Sequence, residues 1–120
     1  MHNVAVDLDG TISAFPRQFK EIMRALKIAG NKVVILTGAD NPYNGDKEVR
    51  RAQIASLGID ESDIDELLIC RGQDWKEVAE IKGDYCRDNK VDFVFEDSDE
   101  FISAIKRKSP STACVRITNV

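Results

Sequence analysis

Two aspartates near the start of the chain stand one residue apart, with glycine and threonine directly after them. They are Asp7 and Asp9 of the segment VAVDLDGTIS. Such a pair could belong to a calcium-binding loop, a phosphoryl-transfer site or an ordinary acidic turn. An EF-hand loop requires acids at positions 1, 3 and 5, glycine at 6 and glutamate at 12. With Gly10 at position 6, the first and last positions hold Ala5 and Pro16, so the calcium loop is rejected.

The residue inventory limits the remaining chemistry. His2 is the only histidine, which argues against a Ser-His-Asp triad, a Cys-His pair or a histidine-based phosphatase. The three cysteines, Cys70, Cys86 and Cys114, are widely spaced and form no C-x-x-C motif. This pattern favours free buried thiols in a reducing compartment over disulfides or a zinc site. Carboxylates, lysine and hydroxyl groups, with or without a metal, must therefore carry any reaction.

Length and composition indicate a single globular domain spanning residues 1–120. The chain is 42% hydrophobic, which is typical of a soluble protein with one core. It has no apolar run near the roughly 20 residues of a membrane span, and no charged-then-apolar leader. We therefore expect a cytoplasmic protein with no membrane contact. The net charge of −4 argues against broad non-specific nucleic-acid binding but leaves room for a local basic patch.

Apolar runs alternate with helical patterns along the chain. The sequence predicts strands at 3–8, 32–36, 66–70, 91–95 and 113–117. It predicts helices from Pro16 to just before Gly30, at 46–57, at 74–88 and around 101–105. Because the strands are almost wholly apolar, both sheet faces must be covered. The pattern indicates a three-layer α/β Rossmann-like domain with a parallel sheet.

Ligands of such sheets bind beyond the carboxyl ends of the strands, so the residues that follow each strand matter most. These residues are Asp7, Asp9 and Thr11 after the first strand, Thr37 and Gly38 after the second, Arg71 after the third, and Glu96, Asp97 and Asp99 after the fourth. Clustered carboxylates repel one another unless a cation is bound or some of them are protonated. Oxygen ligands of this kind favour magnesium or calcium over zinc.

Three of these segments, together with one lysine, resemble the motifs of the haloacid dehalogenase (HAD) superfamily of phosphatases and phosphotransferases. DLDGT resembles motif one, VILTG at 34–38 resembles motif two, and FVFED at 93–97 resembles motif four. Lys82 stands 15 residues before Asp97, where members with short connections carry the motif-three lysine. The resemblance runs through the whole chain in order. It implies a HAD-like sheet in the order 5-4-1-2-3 and a Mg²⁺-dependent phosphatase.

The resemblance implies a role for each reacting group. Asp7 would be the nucleophile that forms an aspartyl-phosphate, and Asp9 would be the general acid and then the general base. Thr37 would donate a hydrogen bond to a phosphoryl oxygen. Lys82 would pair with Asp7 and with the transferring phosphate, and Lys76 in the same segment is the alternative lysine.

The resemblance also implies a Mg²⁺ site and contacts to the substrate. The metal ligands would be the carboxylates of Asp7 and Asp97 and the backbone carbonyl of Asp9, with Glu96 or Asp99 as the additional acid. The substrate-binding residues would be Leu8, Gly38 and Arg71. Arg71 fits a surface charge as well as a phosphate clamp. Lys47, Arg50 and Arg51 are further candidates for phosphate contacts, but we favour a solvated helix face for them. We favour a core position for Trp75 over a base-stacking platform.

Two features bear on the substrate. The segment 12–15 is too short for the cap domains of many HAD enzymes, and after the third strand only a short loop and the helix at 74–88 fit. This implies an open site suited to large substrates. The stretch 67–82 is weakly similar to polynucleotide 3′-phosphatase domains, although the sequence contains no P-loop. We therefore predict a phosphatase of nucleic-acid 3′-phosphate ends. The alternatives are a small-molecule or nucleotide phosphatase with a lid from an oligomer, and a non-catalytic Mg²⁺-binding interaction domain.

Overall fold

Five parallel strands form one sheet in the computed structural model, which describes residues 1–118. The strands are Asn3–Val6 (β1), Lys32–Ala39 (β2), Glu66–Arg71 (β3), Phe93–Glu96 (β4) and Ala113–Arg116 (β5). Their spatial order is β3-β2-β1-β4-β5. This is the expected order 5-4-1-2-3 read from the other edge, so the order and the parallel sheet are confirmed. β1 lies at the centre, and the acidic segment that follows it therefore opens at the middle of the sheet edge.

Four helices cover the sheet, and the sequence marks where each begins. They are Pro16–Ile28 (α1), Lys47–Ser56 (α2), Trp75–Asp88 (α3) and Asp99–Lys108 (α4). Proline opens α1, where its missing N–H is not needed. The side chains of Asp46, Asp74 and Ser98 accept hydrogen bonds from the first backbone N–H groups of α2, α3 and α4. These caps place the three helix starts directly after the loops that surround the site.

Side chains alternate between the two faces of the sheet and build two cores. On one face, Val4, Val6 and Ile35 pack with residues of α1 and α2. On the other face, Ala5 and Val94 pack with residues of α3 and α4. Helices on both faces give the three layers expected from the apolar strands.

Some boundaries differ from the sequence prediction. β2 runs on to Ala39, so Thr37 and Gly38 lie inside the strand rather than after it. The extension has a partner, because Gly38 and Ala39 are in register with the last two residues of β3. Val91 lies before β4 instead of in it, and its N–H closes the end of α3 on the carbonyl of Cys86. α4 is longer than the predicted segment because its Ser98 cap starts it at Asp99.

The three cysteines do not form disulfides. Cys70 and Cys86 are buried and Cys114 is half-buried, and all three thiols are free. Across residues 1–118, none of the helices combines the length and apolar character that a membrane crossing requires.

Candidate active site

The pleat of the sheet brings two acids together beside α3. Asp7 directly follows β1, and Glu96 is the last residue of the neighbouring strand β4. Asp7 lies two residues after Ala5 and Glu96 two residues after Val94, and both of these pack on the face covered by α3 and α4. Because the side-chain period of a strand is two, both carboxylates face the same helices. Both are buried.

Lys82 of α3 joins these two carboxylates. Its Nζ lies 2.9 Å from Oδ1 of Asp7 and 2.7 Å from Oε1 of Glu96, and the side chain is fully buried. Burial by itself would lower the pKa of the lysine, but the two carboxylates outweigh it and raise the pKa above its ordinary value. Lys82 is therefore a permanent cation under the sheet edge. Lys76, the alternative lysine, is exposed.

Asp7 has an unusual electrostatic environment. Burial raises the pKa of its carboxyl well above the ordinary 3.8, Lys82 acts in the opposite direction, and Glu96 adds to the rise. The Thr11 hydroxyl lies 3.3 Å from Oδ2 of Asp7 and donates to it. One lysine against two buried carboxylates leaves the cluster short of positive charge. A cation bound beside Asp7 would favour the ionised form that a nucleophile needs.

A third carboxylate completes an oxygen cluster at the same place. Across the described chain, Asp7, Glu96 and Asp97 are the one group of three potential ligand side chains whose donor atoms lie within 4.8 Å of one another. Glu96 is already engaged, because Oε1 accepts from Lys82 and Oε2 accepts from the N–H groups of Asp97 (3.0 Å) and Ser98 (3.2 Å). Asp7 and Asp97 are thus the accessible ligands, and Glu96 anchors the cluster.

The donor set of this cluster fits a hard divalent cation such as Mg²⁺. Asp99, the alternative acid, lies outside the cluster and is paired with Arg116 on the surface. The half-buried Asp97 approaches the backbone of Gly10 so closely that a Cβ there would lie 2.1 Å from Oδ2 of Asp97. Gly10 also has a φ of +78°, which favours glycine.

Arg50 binds Asp9, although the sequence pattern predicts a solvent-exposed side chain at this position. Arg50 is only 1% exposed, so its interpretation as part of a solvated helix face is wrong. Its Nη1 and Nη2 lie 3.2 Å and 2.9 Å from the two carboxylate oxygens of Asp9. The guanidinium also donates to the carbonyls of Gly38 (2.8 Å) and Asn44 (2.9 Å). A fork of this kind orients a carboxylate as well as attracting it.

A helical pattern could have indicated this burial. Arg50 stands four residues before Ile54 on α2 and therefore shares its face of the helix. Ile54 packs in the core, whereas Lys47 and Arg51 are exposed as expected. Lys47 and Arg51 line a separate groove of about 550 Å³ beside β3, which contains none of the candidate site residues.

Thr37 presents an unpaired hydroxyl. Within residues 1–118, its Oγ1 is buried and has no hydrogen-bond partner. A buried hydroxyl without a partner is unfavourable, so this donor is suited to an acceptor such as a phosphoryl oxygen. The Leu8 side chain packs in the core, which leaves only the backbone of Leu8 for a substrate contact.

Asp7, Asp9, Gly38 and Asp97 are the candidate residues that border one open depression of about 320 Å³. It is lined by Asp7, Asp9, Gly38, Trp75, Asp97, Ser98, Glu100 and Phe101. Arg71 lies outside it and lines a neighbouring depression, where its Nε and Nη2 donate to the Gly45 carbonyl at 2.9 Å and 2.6 Å. Trp75 is 42% exposed at this site, so its interpretation as a core residue is wrong.

Two solved structures of an RNA repair assembly have a similar fold. A chain in the structure of the Pnkp1/Rnl/Hen1 RNA repair complex matches 97% of this chain with a TM-score of 0.73 and 20% identity. A chain in another structure of the Pnkp1/Rnl/Hen1 complex matches the same share with a TM-score of 0.71 and 22% identity. The present chain spans 42% and 45% of those two chains, which is less than half of their length. Neither a scan against protein-family models nor a search of curated proteins finds a match. At this level of identity the likeness concerns the fold.

Proposed function

We propose that this chain is a Mg²⁺-dependent phosphomonoester hydrolase of the HAD type, with Asp7 as its nucleophile and nucleic-acid 3′-phosphate ends as its substrates. One observation carries the proposal. Asp7 meets a buried lysine, Lys82, on one side, and the neighbouring strand β2 carries Thr37, whose buried hydroxyl has no hydrogen-bond partner among the described residues. This combination supplies a nucleophile, a fixed cation and a free donor, which are the groups that phosphoryl transfer requires.

The reaction needs two steps at Asp7. In the first, a carboxylate oxygen of Asp7 forms a bond to phosphorus as the ester P–O bond breaks, and Asp9 gives its proton to the departing alkoxide. In the second, Asp9 takes a proton from a water molecule whose oxygen attacks the same phosphorus. Inorganic phosphate leaves and the Asp7 carboxylate is restored. Arg50 donates to both carboxylate oxygens of Asp9, so it holds Asp9 at the rim of the depression when Asp9 is a carboxylate, between the two steps. One oxygen must leave this pair whenever Asp9 carries the proton.

The positive charges of the site act on the phosphoryl oxygens. Lys82 lies 2.9 Å from Asp7 and stabilises negative charge that develops next to it. Thr37 donates to one phosphoryl oxygen. Asp7, Asp97 and the backbone carbonyl of Asp9 would hold Mg²⁺, which neutralises phosphoryl charge and favours the ionised form of Asp7.

The open edge of the sheet supports a large substrate. Residues 13–15 join the acidic loop to α1, and residues 72–74 join β3 to α3. Connections of three residues leave the depression uncovered from these two directions. The solved neighbours belong to an RNA repair complex. Both observations favour the end of a nucleic acid over a small metabolite.

Phosphate release tests the proposal directly. We would compare a 3′-phosphorylated oligonucleotide with an alkyl phosphate, in the presence of Mg²⁺ and of EDTA, for the wild type, Asp7→Asn and Asp88→Asn. Asp88 is an exposed acid at the end of α3 and serves as the matched control. We expect Mg²⁺-dependent release from the oligonucleotide that Asp7→Asn abolishes and Asp88→Asn leaves intact.

Each other result would change the conclusion. Release from the alkyl phosphate alone would keep the chemistry and favour a small-molecule phosphatase. Release that survives Asp7→Asn would reject the aspartyl-phosphate mechanism. The absence of release from both substrates would favour a non-catalytic Mg²⁺-binding domain.

A further inference from the structure

Trp75 lines the depression that contains Asp7. It is the first residue of α3, and the Asp74 cap holds the start of this helix beside the sheet edge. Its six-membered ring leans over Gly38, because a Cβ on that glycine would lie 3.3 Å from Cζ3 of Trp75. Gly38 directly follows Thr37, and the indole lines the same depression as Asp7. The ring is therefore adjacent to the proposed phosphate position.

Part of the indole packs against a neighbouring aromatic ring, and the rest is exposed to solvent. Phe101 of α4 packs against it with ring centroids 6.0 Å apart and an angle of 55° between the ring planes. Lys82 lies 4.3 Å from the centroid of the Phe101 ring, so the aromatic pair is fixed to the buried cluster. The indole nevertheless remains 42% exposed. An apolar surface held rigidly in this way beside a polar site is a ready platform for a flat ligand.

The charges around the depression indicate what kind of contact a nucleic acid can make here. Asp9, Asp97 and Glu100 line it together with Asp7, whereas Arg71 lies outside it. Acidic side chains repel the backbone phosphates that flank the reacting one. Beyond the contacts to the reacting phosphate, the bases are then the part of a strand end that can add affinity. Base stacking on an aromatic ring provides such affinity and tolerates any base sequence.

We propose that Trp75 is a stacking platform for the nucleobase of the nucleotide whose phosphate enters the site. This proposal rests on the proposed function and specifies its substrate class as phosphates attached to a nucleoside. Stacking of one base on an aromatic ring changes affinity on the order of 10-fold to 100-fold. We expect the preference for a nucleotide end over an alkyl phosphate to depend on Trp75 by such a factor, with little dependence on base identity.

The chain offers a direct signal for this contact, because Trp75 is its only tryptophan. The Asp7→Asn variant would be titrated with a 3′-phosphorylated oligonucleotide while its tryptophan fluorescence is recorded. We expect saturable quenching by an oligonucleotide with a base at its 3′ end. An oligonucleotide with an abasic 3′ end should bind at least 10-fold more weakly in the same titration. Equal quenching by both oligonucleotides, or none by either, would overturn the proposal.

Kinetics give a second, independent readout. We expect Trp75→Ala to lower the ratio of kcat/KM for the oligonucleotide to kcat/KM for the alkyl phosphate by about 10-fold to 100-fold. Trp75→Phe should restore part of the ratio because it keeps an aromatic ring. Phe93→Ala is the matched control, since Phe93 is 39% exposed at the opposite end of β4. An unchanged ratio in Trp75→Ala would overturn the stacking proposal and leave the phosphatase intact.

The two proposals can fail separately. If no phosphate ester is hydrolysed, the proposed function fails, but the fluorescence titration still decides whether a base stacks on Trp75. If hydrolysis depends on Asp7 and the titration shows no base-dependent quenching, only the stacking proposal is rejected.

Discussion

Replacing Gly10 by alanine should weaken Mg²⁺ binding at the carboxylate cluster by more than the accompanying loss of fold stability explains. Two consequences follow from the structure. The φ of +78° places an alanine in the left-handed region, which costs about 1–2 kcal/mol. The new Cβ would also lie 2.1 Å from Oδ2 of Asp97, where real contacts are not shorter than 3.0 Å. The carboxylate must therefore move by close to 1 Å, the difference between these two distances.

Gly30→Ala is a matched control because it introduces the same backbone strain as Gly10→Ala without a steric clash at the new Cβ. Gly30 has a φ of +89°, and a Cβ there would have no neighbour within 4 Å. Both variants should lose about 1–2 kcal/mol of unfolding free energy. For a chain of this size the loss lowers Tm by about 4–8 °C. The Asp97 side chain is half-buried and able to rotate, so the clash should alter the site rather than unfold the protein.

The assay is the rise in Tm when Mg²⁺ is added. At a concentration 100 times its Kd, a ligand stabilises the folded state by about 2.7 kcal/mol. A displacement of about 1 Å in a ligand carboxylate should weaken affinity by about 100-fold. The stabilisation at the same concentration then falls to about 0.4 kcal/mol in Gly10→Ala. It should stay near the wild-type value in Gly30→Ala.

Two results would refute this reasoning. An equal Mg²⁺-induced rise in Tm for Gly10→Ala and Gly30→Ala would mean that the contact between Gly10 and Asp97 does not shape the site. No rise in the wild type would mean that the carboxylate cluster does not bind Mg²⁺.

Three further substitutions test the residues around Asp7. Thr37→Val should leave Tm equal or higher, because it removes a buried unpaired hydroxyl. Phosphate release should fall by about 100-fold, because a donor to the phosphoryl group is lost. A loss of stability without a loss of activity would contradict the proposed role of Thr37. Arg50→Lys keeps the charge but loses the fork, so kcat should fall by up to about 100-fold, while Arg51→Ala on the exposed face should behave as wild type. Lys82→Met leaves the carboxylates buried without their cation and should lower unfolding free energy by about 3–5 kcal/mol at neutral pH. The pKa of Asp7 is already raised above 3.8 and should rise further in Lys82→Met, so the folded variant holds protons that the unfolded chain releases. The unfolding free energy of Lys82→Met is therefore retained below pH 3.8 and falls as the pH rises. Urea unfolding at about pH 5 and about pH 8 should show that the variant loses more unfolding free energy, relative to the wild type, at the higher pH. An equal loss at both values would exclude the buried carboxylates as the cause.

The tertiary contacts explain why some sequence interpretations did not hold. Arg50 and Arg51 are adjacent basic residues on one helix, yet one is buried against Asp9 and the other is exposed. The composition of α2 does not distinguish them, since burial depends on which face of the helix meets the sheet. Trp75 is similar, because an aromatic residue at a helix start is core or surface according to what lies beyond it. Here the depression beyond it is open.

Arg71 also makes a tertiary contact that the sequence pattern does not predict. Its position at the end of β3 is compatible with a phosphate clamp, and the structure adds that its guanidinium donates to the Gly45 carbonyl. The choice between Lys82 and Lys76 also required the structure. Both lie on α3, and only the docking of this helix on the sheet turns one of them toward Asp7.

The sequence by itself determined the α/β alternation, the approximate elements, the free thiols and the group of acids at the strand ends. These properties depend on local patterns: apolar runs, helical spacing, capping residues and the order of residues along the chain. Only the tertiary structure decided that Lys82 joins Asp7 to Glu96, that Arg50 holds Asp9, that Asp97 lies against Gly10 and that Trp75 remains exposed. The three contacts join residues that are separated in the chain, and the exposure of Trp75 depends on the elements around it. These contacts exist because the sheet register and the docking of the helices set the distances between them, and no local pattern contains that information.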